Sequence, residues 1–214
     1  SDVCSSDLFD SYDRDVAFKG LETARAICIE QGGREIDNTL PTVFRAHPFA
    51  GVRTVLLGAN GEAWLPVHGF MPLSKALEVG AATEAYFEEN RELMEQFDIK
   101  SSYLTCFAGT EFVIEPSIYW ADKLGDFQLS LIEDEFAEKW KDIPADEEKR
   151  HVALKLREGL RDLYDQHGCC HLQIGKYYPY QEMMSNDALR KLLHGVKDVV
   201  DPERQINPGS LGLR

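Results

Sequence analysis

The chain is predicted to be α+β, with a largely antiparallel sheet covered by helices on one side. Three observations carry this. Segments with helical spacing of apolar residues alternate with short β-rich runs, in the order helix, hairpin, helix, two strands, helix, strand, helix. Asn60-Gly61 and Ala108-Gly109 each sit between two β-rich runs, where a tight turn returns the chain beside itself. Each long helical segment carries one apolar stripe, as expected of helices that pack by one face only.

Tyr12 to Gln31 carries Val16, Leu21, Ala24, Ile27 and Cys28 at helical spacing, and Gly32-Gly33 stops it. Val52 to Leu57 and Ala63 to His68 flank the turn Gly58-Ala59-Asn60-Gly61-Glu62 and read as a hairpin. Pro66 lacks a donor and belongs at an edge or bulge. Ser74 caps a long helix reaching about Phe97, with Leu77, Ala81, Ala85, Phe87, Leu93, Met94 and Phe97 on its apolar face. Ser102 to Phe107 and Glu111 to Trp120 are strands. The stretch from Asp122 to Asp142 has no clear period. Asp146 caps a second helix, with Val152, Leu156, Leu160 and Leu163 on one stripe and Gly168 at its end. His171 to Ile174 is read as a strand. Ser185 or Asn186 caps the last helix, with Leu189, Leu192, Leu193, Val196 and Val200 inward, and Asp201-Pro202 ends it.

A chain of 214 residues with 43% hydrophobic content supports one generous domain or two small ones. Its formal charge of −14 argues against nucleic acid, whose phosphates attract clustered Lys and Arg. The same charge disfavours anionic membrane surfaces. The acids are spread over helices, at Glu88, Glu89, Glu92 and Glu95 and again at Asp146, Glu147 and Glu148, which is the pattern of solvated faces. No apolar run reaches the about 18 residues of a membrane span. Cys28, Cys106, Cys169 and Cys170 have no regular spacing and form no Cys-x-x-Cys pair, so reduced thiols in a cytoplasmic protein are expected. No dense His/Asp/Glu cluster suggests a metal. No Gly-x-Gly-x-x-Gly, Walker, Gly-x-Ser-x-Gly or His-Glu-x-x-His motif occurs.

The segment from Gly168 to Tyr180 is the richest in hydrogen-bonding groups: His171-Leu172-Gln173-Ile174-Gly175-Lys176-Tyr177-Tyr178-Pro179-Tyr180. Further on, a helix runs into Asp201-Pro202, followed by Asn207-Pro208-Gly209 near the end of the chain. Together these segments resemble the C-terminal part of FAD-linked oxidases, the flavoproteins related to vanillyl-alcohol oxidase and p-cresol methylhydroxylase. The resemblance covers residues 168–213 most strongly and 64–120 less so.

It implies a ferredoxin-like cap domain over FAD, completed by a C-terminal helix and tail, with the dinucleotide part held by an N-terminal domain outside this sequence. Residues 9–214 would be that cap, inactive alone. Ser1-Asp2-Val3-Cys4-Ser5-Ser6-Asp7-Leu8 reads like a sequencing adapter translated in frame, which places the natural start before Phe9.

The implied chemistry is hydride transfer from a substrate C–H to flavin, with electrons passing on to oxygen or a cytochrome. Such a site needs a proton acceptor and donors for developing negative charge. By resemblance, His171 lies near the flavin and Gln173 shares its face. Tyr178, Lys176 and His68, the last in Pro66-Val67-His68-Gly69, join His171 as catalytic candidates. Asn207 is a cofactor contact. Tyr119, Tyr180 and Arg45 are substrate contacts. The aromatic residues at 119–120 and 177–180 favour a phenolic substrate. Relatives that oxidise D-lactate or glycolate carry a His-Gly motif where Leu172-Gln173 follows His171 here. A ferredoxin-like binding module without redox chemistry is the competing class, and assembly into a homo-oligomer is left open.

Overall fold

The computed structural model describes residues 11–35, 39–47, 53, 57–172 and 175–213. The chain falls into two compact units, Ser1–Leu56 and Leu57–Arg214.

In the first unit, α1 (Arg14–Glu30) begins where Asp13 accepts the N–H groups of Asp15 and Val16. It ends at Gly32, whose φ of +86° suits glycine. Its apolar residues Val16, Phe18, Leu21, Ile27 and Ile29 are exposed. A short helix, α2 (Thr39–Ala46), follows.

The second unit holds the sheet. Its strands are β1 (Ala63–Pro66), β2 (Gly69–Pro72), β3 (Lys100–Ala108) and β4 (Glu111–Trp120). β4 is central, and all its partners are antiparallel. β1 and β2 share one register against it, Ala63 opposite Trp120 and Pro72 opposite Glu111, so they form one strand interrupted at Val67-His68. Proline causes the gap. Val67 N–H donates to the Pro116 carbonyl (3.0 Å), but Pro116 has no N–H to return. Beyond β2, Phe70 and Cys170 exchange two main-chain hydrogen bonds, of 2.7 and 2.8 Å. With α3 (Ala76–Glu89) and α7 (Glu147–Gln166) inserted, the unit runs β–α–β–β–α–β, the ferredoxin-like order, with its last strand reduced to this bridge.

Turn chemistry behaves as its residues require. Gly109 has φ +68° between β3 and β4. Gly61 has φ +82°, and a Cβ there would lie 2.5 Å from the Trp140 ring. The expected hairpin around Gly61 is short, however. Leu57 pairs with Ala63, Arg53 is helical rather than extended, and residues 54–56 lie outside the described residues.

The expected single helix from Ser74 is broken. Leu73–Lys75 forms a 3-10 turn with Ser74 inside it and no side-chain cap, then come α3 and α4 (Arg91–Gln96). The break falls at Asn90, whose side chain donates to the Tyr86 carbonyl (2.8 Å). The buried stripe is Val79, Thr83 and Phe87, and Leu77 is exposed. Thr83 is tolerated inside because its hydroxyl donates to the Val79 carbonyl (2.8 Å) and meets the Tyr164 hydroxyl (3.3 Å).

Asp146 caps α7 by accepting from Lys149 N–H (2.9 Å), and Gly168, φ +68°, stops it. Val152, Ala153, Leu156, Leu160 and Tyr164 are buried in one cluster with Val67, Met71, Ile114 and Ile118 of the sheet. Asp122 ties the start of α7 to the end of β4. It accepts from the Arg150 guanidinium (2.6 and 2.9 Å), the Trp120 indole (3.2 Å) and the Asp146 N–H (3.0 Å). Two short helices, α5 (Asp126–Ser130) and α6 (Asp134–Trp140), fill the unpatterned stretch before it.

After α8 (Tyr180–Met183), Asn186 caps α9 (Asp187–Val200) by accepting from Ala188 and Leu189. Leu189, Leu192, Val196 and Val200, expected inward, are exposed. Asp201 is buried at the helix end. Lys197 pairs with it, and it accepts the N–H groups of Gln205 and Ile206, folding the tail back.

Candidate functional site

His68 is the second residue of the strand break, where the register of β1 and β2 puts it opposite Glu115. Its Nε2 lies 2.6 Å from Glu115 Oε2, and both side chains are largely buried. A carboxylate only accepts, so Nε2 carries a proton; in the neutral ring Nδ1 then holds the lone pair. Nδ1 is buried and has no hydrogen-bond partner.

The His68 carbonyl points away from β4 and accepts from His171 Nδ1 (2.6 Å). The other nitrogen of His171, Nε2, lies 2.8 Å from Asp165 Oδ1. Both partners are acceptors, so both bonds form together only when the ring carries two protons. His171 is not in a strand. Pairing stops at Cys170, and the side chain turns back to these two acceptors; Leu172 is exposed. Gln173 and Ile174 lie outside the described residues, so the expected shared face of His171 and Gln173 does too.

The Tyr178 ring stacks on His171, with centroids 4.0 Å apart and planes at 21°. Tyr177 meets Tyr178 edge-on, and the Arg157 guanidinium sits 3.6 Å over the Tyr177 ring. Burial pushes the Tyr178 hydroxyl above its ordinary range, while the nearby His68 main chain and Arg157 pull it down. Neither makes a hydrogen bond of normal geometry to it. The hydroxyls of Tyr177 and Tyr178, like Arg157 Nε, are buried without a partner. Three of these unpartnered atoms sit on side chains in contact, Tyr177, Tyr178 and Arg157, while His68 joins them through its main chain by way of His171. Buried polar groups are normally satisfied, so such a set marks a place for another molecule's polar atoms.

The structure brings together three of the sequence-derived residues, His68, His171 and Tyr178. Lys176 is exposed beside Gly209 of the tail. Asn207 is exposed with φ +44°, and its carbonyl accepts from Ser210 N–H (3.1 Å). Tyr180 is half-buried at the start of α8. Tyr119 takes a hydrogen bond from Ser102 (3.3 Å) and lies four residues beyond Glu115, about 13 Å along β4. Arg45 belongs to α2 in the other unit, and its side chain lies outside the described residues. Among the described residues, no three His, Cys, Asp or Glu gather as a metal site. Cys169 is buried, which pushes its thiol up to about 11, away from the thiolate.

Three members of the site were missed from sequence: Glu115, Arg157 and Asp165. Glu115 is visible only through strand register. Arg157, Arg161 and Asp165 did carry a signal. Each follows one position after the buried Leu156, Leu160 and Tyr164, a polar row beside an apolar stripe. Comparison with family models, with curated proteins and with solved structures finds no match to this chain.

Proposed function

We propose that this chain is the substrate-side cap domain of an FAD-dependent oxidoreductase that oxidises a phenolic substrate at a C–H bond. The observation that supports it best is His68, a buried imidazole held by Glu115 on one nitrogen and open on the other. A carboxylate-held imidazole with a free lone pair is a general base. His68 Nδ1 takes the substrate O–H proton, and Glu115 stabilises the imidazolium that results. The Tyr178 hydroxyl and Arg157 Nε are donors for negative charge on the phenolic oxygen. His171, fixed by Asp165 and the His68 carbonyl, holds Tyr178 in place by stacking.

Bound FAD would supply the hydride acceptor, and the electrons would leave for oxygen or a cytochrome. The open donors fit a redox ring that gains negative charge on reduction; His171, Gln173 and Asn207 are the residues the family resemblance sets beside it.

The test is the visible spectrum of the protein produced together with the coding sequence upstream of Phe9. A flavin spectrum that bleaches anaerobically with a phenol supports the reading, and bleaching by a 2-hydroxy acid instead transfers the substrate class. Folded, colourless protein that takes up no added FAD overturns it and favours a binding module.

A further inference from the structure

We infer that the outer edge of β3 pairs two copies of this chain into an antiparallel dimer. β3 is bonded to β4 along one edge, and among the described residues no strand pairs its other edge. Which main-chain groups face outward follows from Pro116. Its carbonyl bonds Val67, on the side away from β3, so Tyr103 opposite it is a non-hydrogen-bonded pair. The N–H and C=O groups of Tyr103 therefore point outward. By alternation so do those of Ser101, Thr105 and Phe107.

Natural edge strands carry charges, prolines or bulges that block pairing. β3 has none of these along its nine residues except Lys100 at one end. Residues 100–110 contain no Asp or Glu, in a chain that carries 37 of them. Here two strongly acidic molecules can approach without like charges meeting across the edge. Leu104, Cys106 and Phe107 are exposed on the same strand.

The occupant is a second copy because the strand is complementary to itself. With a two-fold axis at Leu104, the outward groups of Tyr103 meet those of Thr105 in the partner, and those of Ser101 meet Phe107. This closes about eight main-chain hydrogen bonds. Ser102 then faces Cys106 of the other copy in a non-hydrogen-bonded pair, at a spacing a disulfide can span.

That pairing supplies the test. Wild-type protein is expected to show a concentration-dependent monomer–dimer equilibrium by sedimentation. Ser102→Cys, with native Cys106, is expected to form a disulfide-linked dimer on mild oxidation, and Ser102→Cys with Cys106→Ser is expected to form none. Thr105→Pro removes an outward donor and leaves the bonds to β4 intact, so it should weaken association roughly 100-fold. Leu104→Lys, which sets two like charges on the axis, should weaken it as well and replaces the proline variant if that fails to fold. A wild-type monomer up to its solubility limit overturns the inference. So does a dimer that ignores Thr105→Pro and Leu104→Lys and forms no cross-link.

Discussion

α7 and α9 carry equally clear apolar stripes in sequence, and the fold treats them oppositely. Leu156 and Leu160 of α7 are 1% and 0% exposed, against the sheet residues Val67, Ile114 and Ile118. Leu192 and Val199 of α9 are 61% and 81% exposed. Helical spacing thus reports that a segment will be a helix with two unlike faces. It does not report which surface, if any, receives the apolar one. α7 has that surface because β4 collects every strand beneath it and Asp122 pins its first turn.

The largest contrast is expected from cavity-forming substitutions. Leu160→Ala should cost about 2–5 kcal/mol in urea unfolding. The pin should give a smaller, pH-dependent effect. Burial pushes the Asp122 carboxyl up, but the Arg150 guanidinium and three further donors outweigh this and hold it at about 2, below its ordinary 3.8. Because the folded value is depressed, the stabilisation is fully present above about pH 4 and is lost as pH falls toward 2. It amounts to roughly 2 kcal/mol. The gap in unfolding free energy between wild type and Asp122→Asn should close over that window; a constant gap would mean the charge pair is not what pins α7.

Tyr178→Phe should change stability by less than about 1 kcal/mol, because the hydroxyl it removes has no partner in the fold. In the flavoenzyme proposed above, the same substitution should lower turnover, and unchanged turnover would leave that hydroxyl without a role. Smallest of all, Leu192→Ala should stay within about 0.5 kcal/mol. A cost like that of Leu160→Ala would show that the α9 stripe is covered in solution and would dissolve the contrast.

Features set by neighbours along the chain were legible in the sequence. Asp146 and Asn186 cap the helices expected of them, Gly32 and Gly168 stop theirs, and Gly109 turns β3 into β4. Ser74 failed as a cap because the chain takes a 3-10 turn through it. His171 to Ile174 looked like a strand by alternation, yet the pairing ends at Cys170, where two side-chain bonds capture His171. For the candidate site, the aromatic and imidazole residues were visible by type. Glu115 was not, since it meets His68 through sheet register, and Asp165 showed only as one of the polar row on α7, without its link to His171 around the helix end.

The central position of β4 also orders events during synthesis. β1, β2 and β3 all leave the ribosome before β4, which pairs with each of them. Pro72 precedes Trp120 by 48 residues (120 minus 72), so at about 5–20 residues per second the first two strands wait roughly 2–10 s for a partner. During that interval Met71, buried in the finished sheet, is open to chaperones and to neighbouring nascent chains.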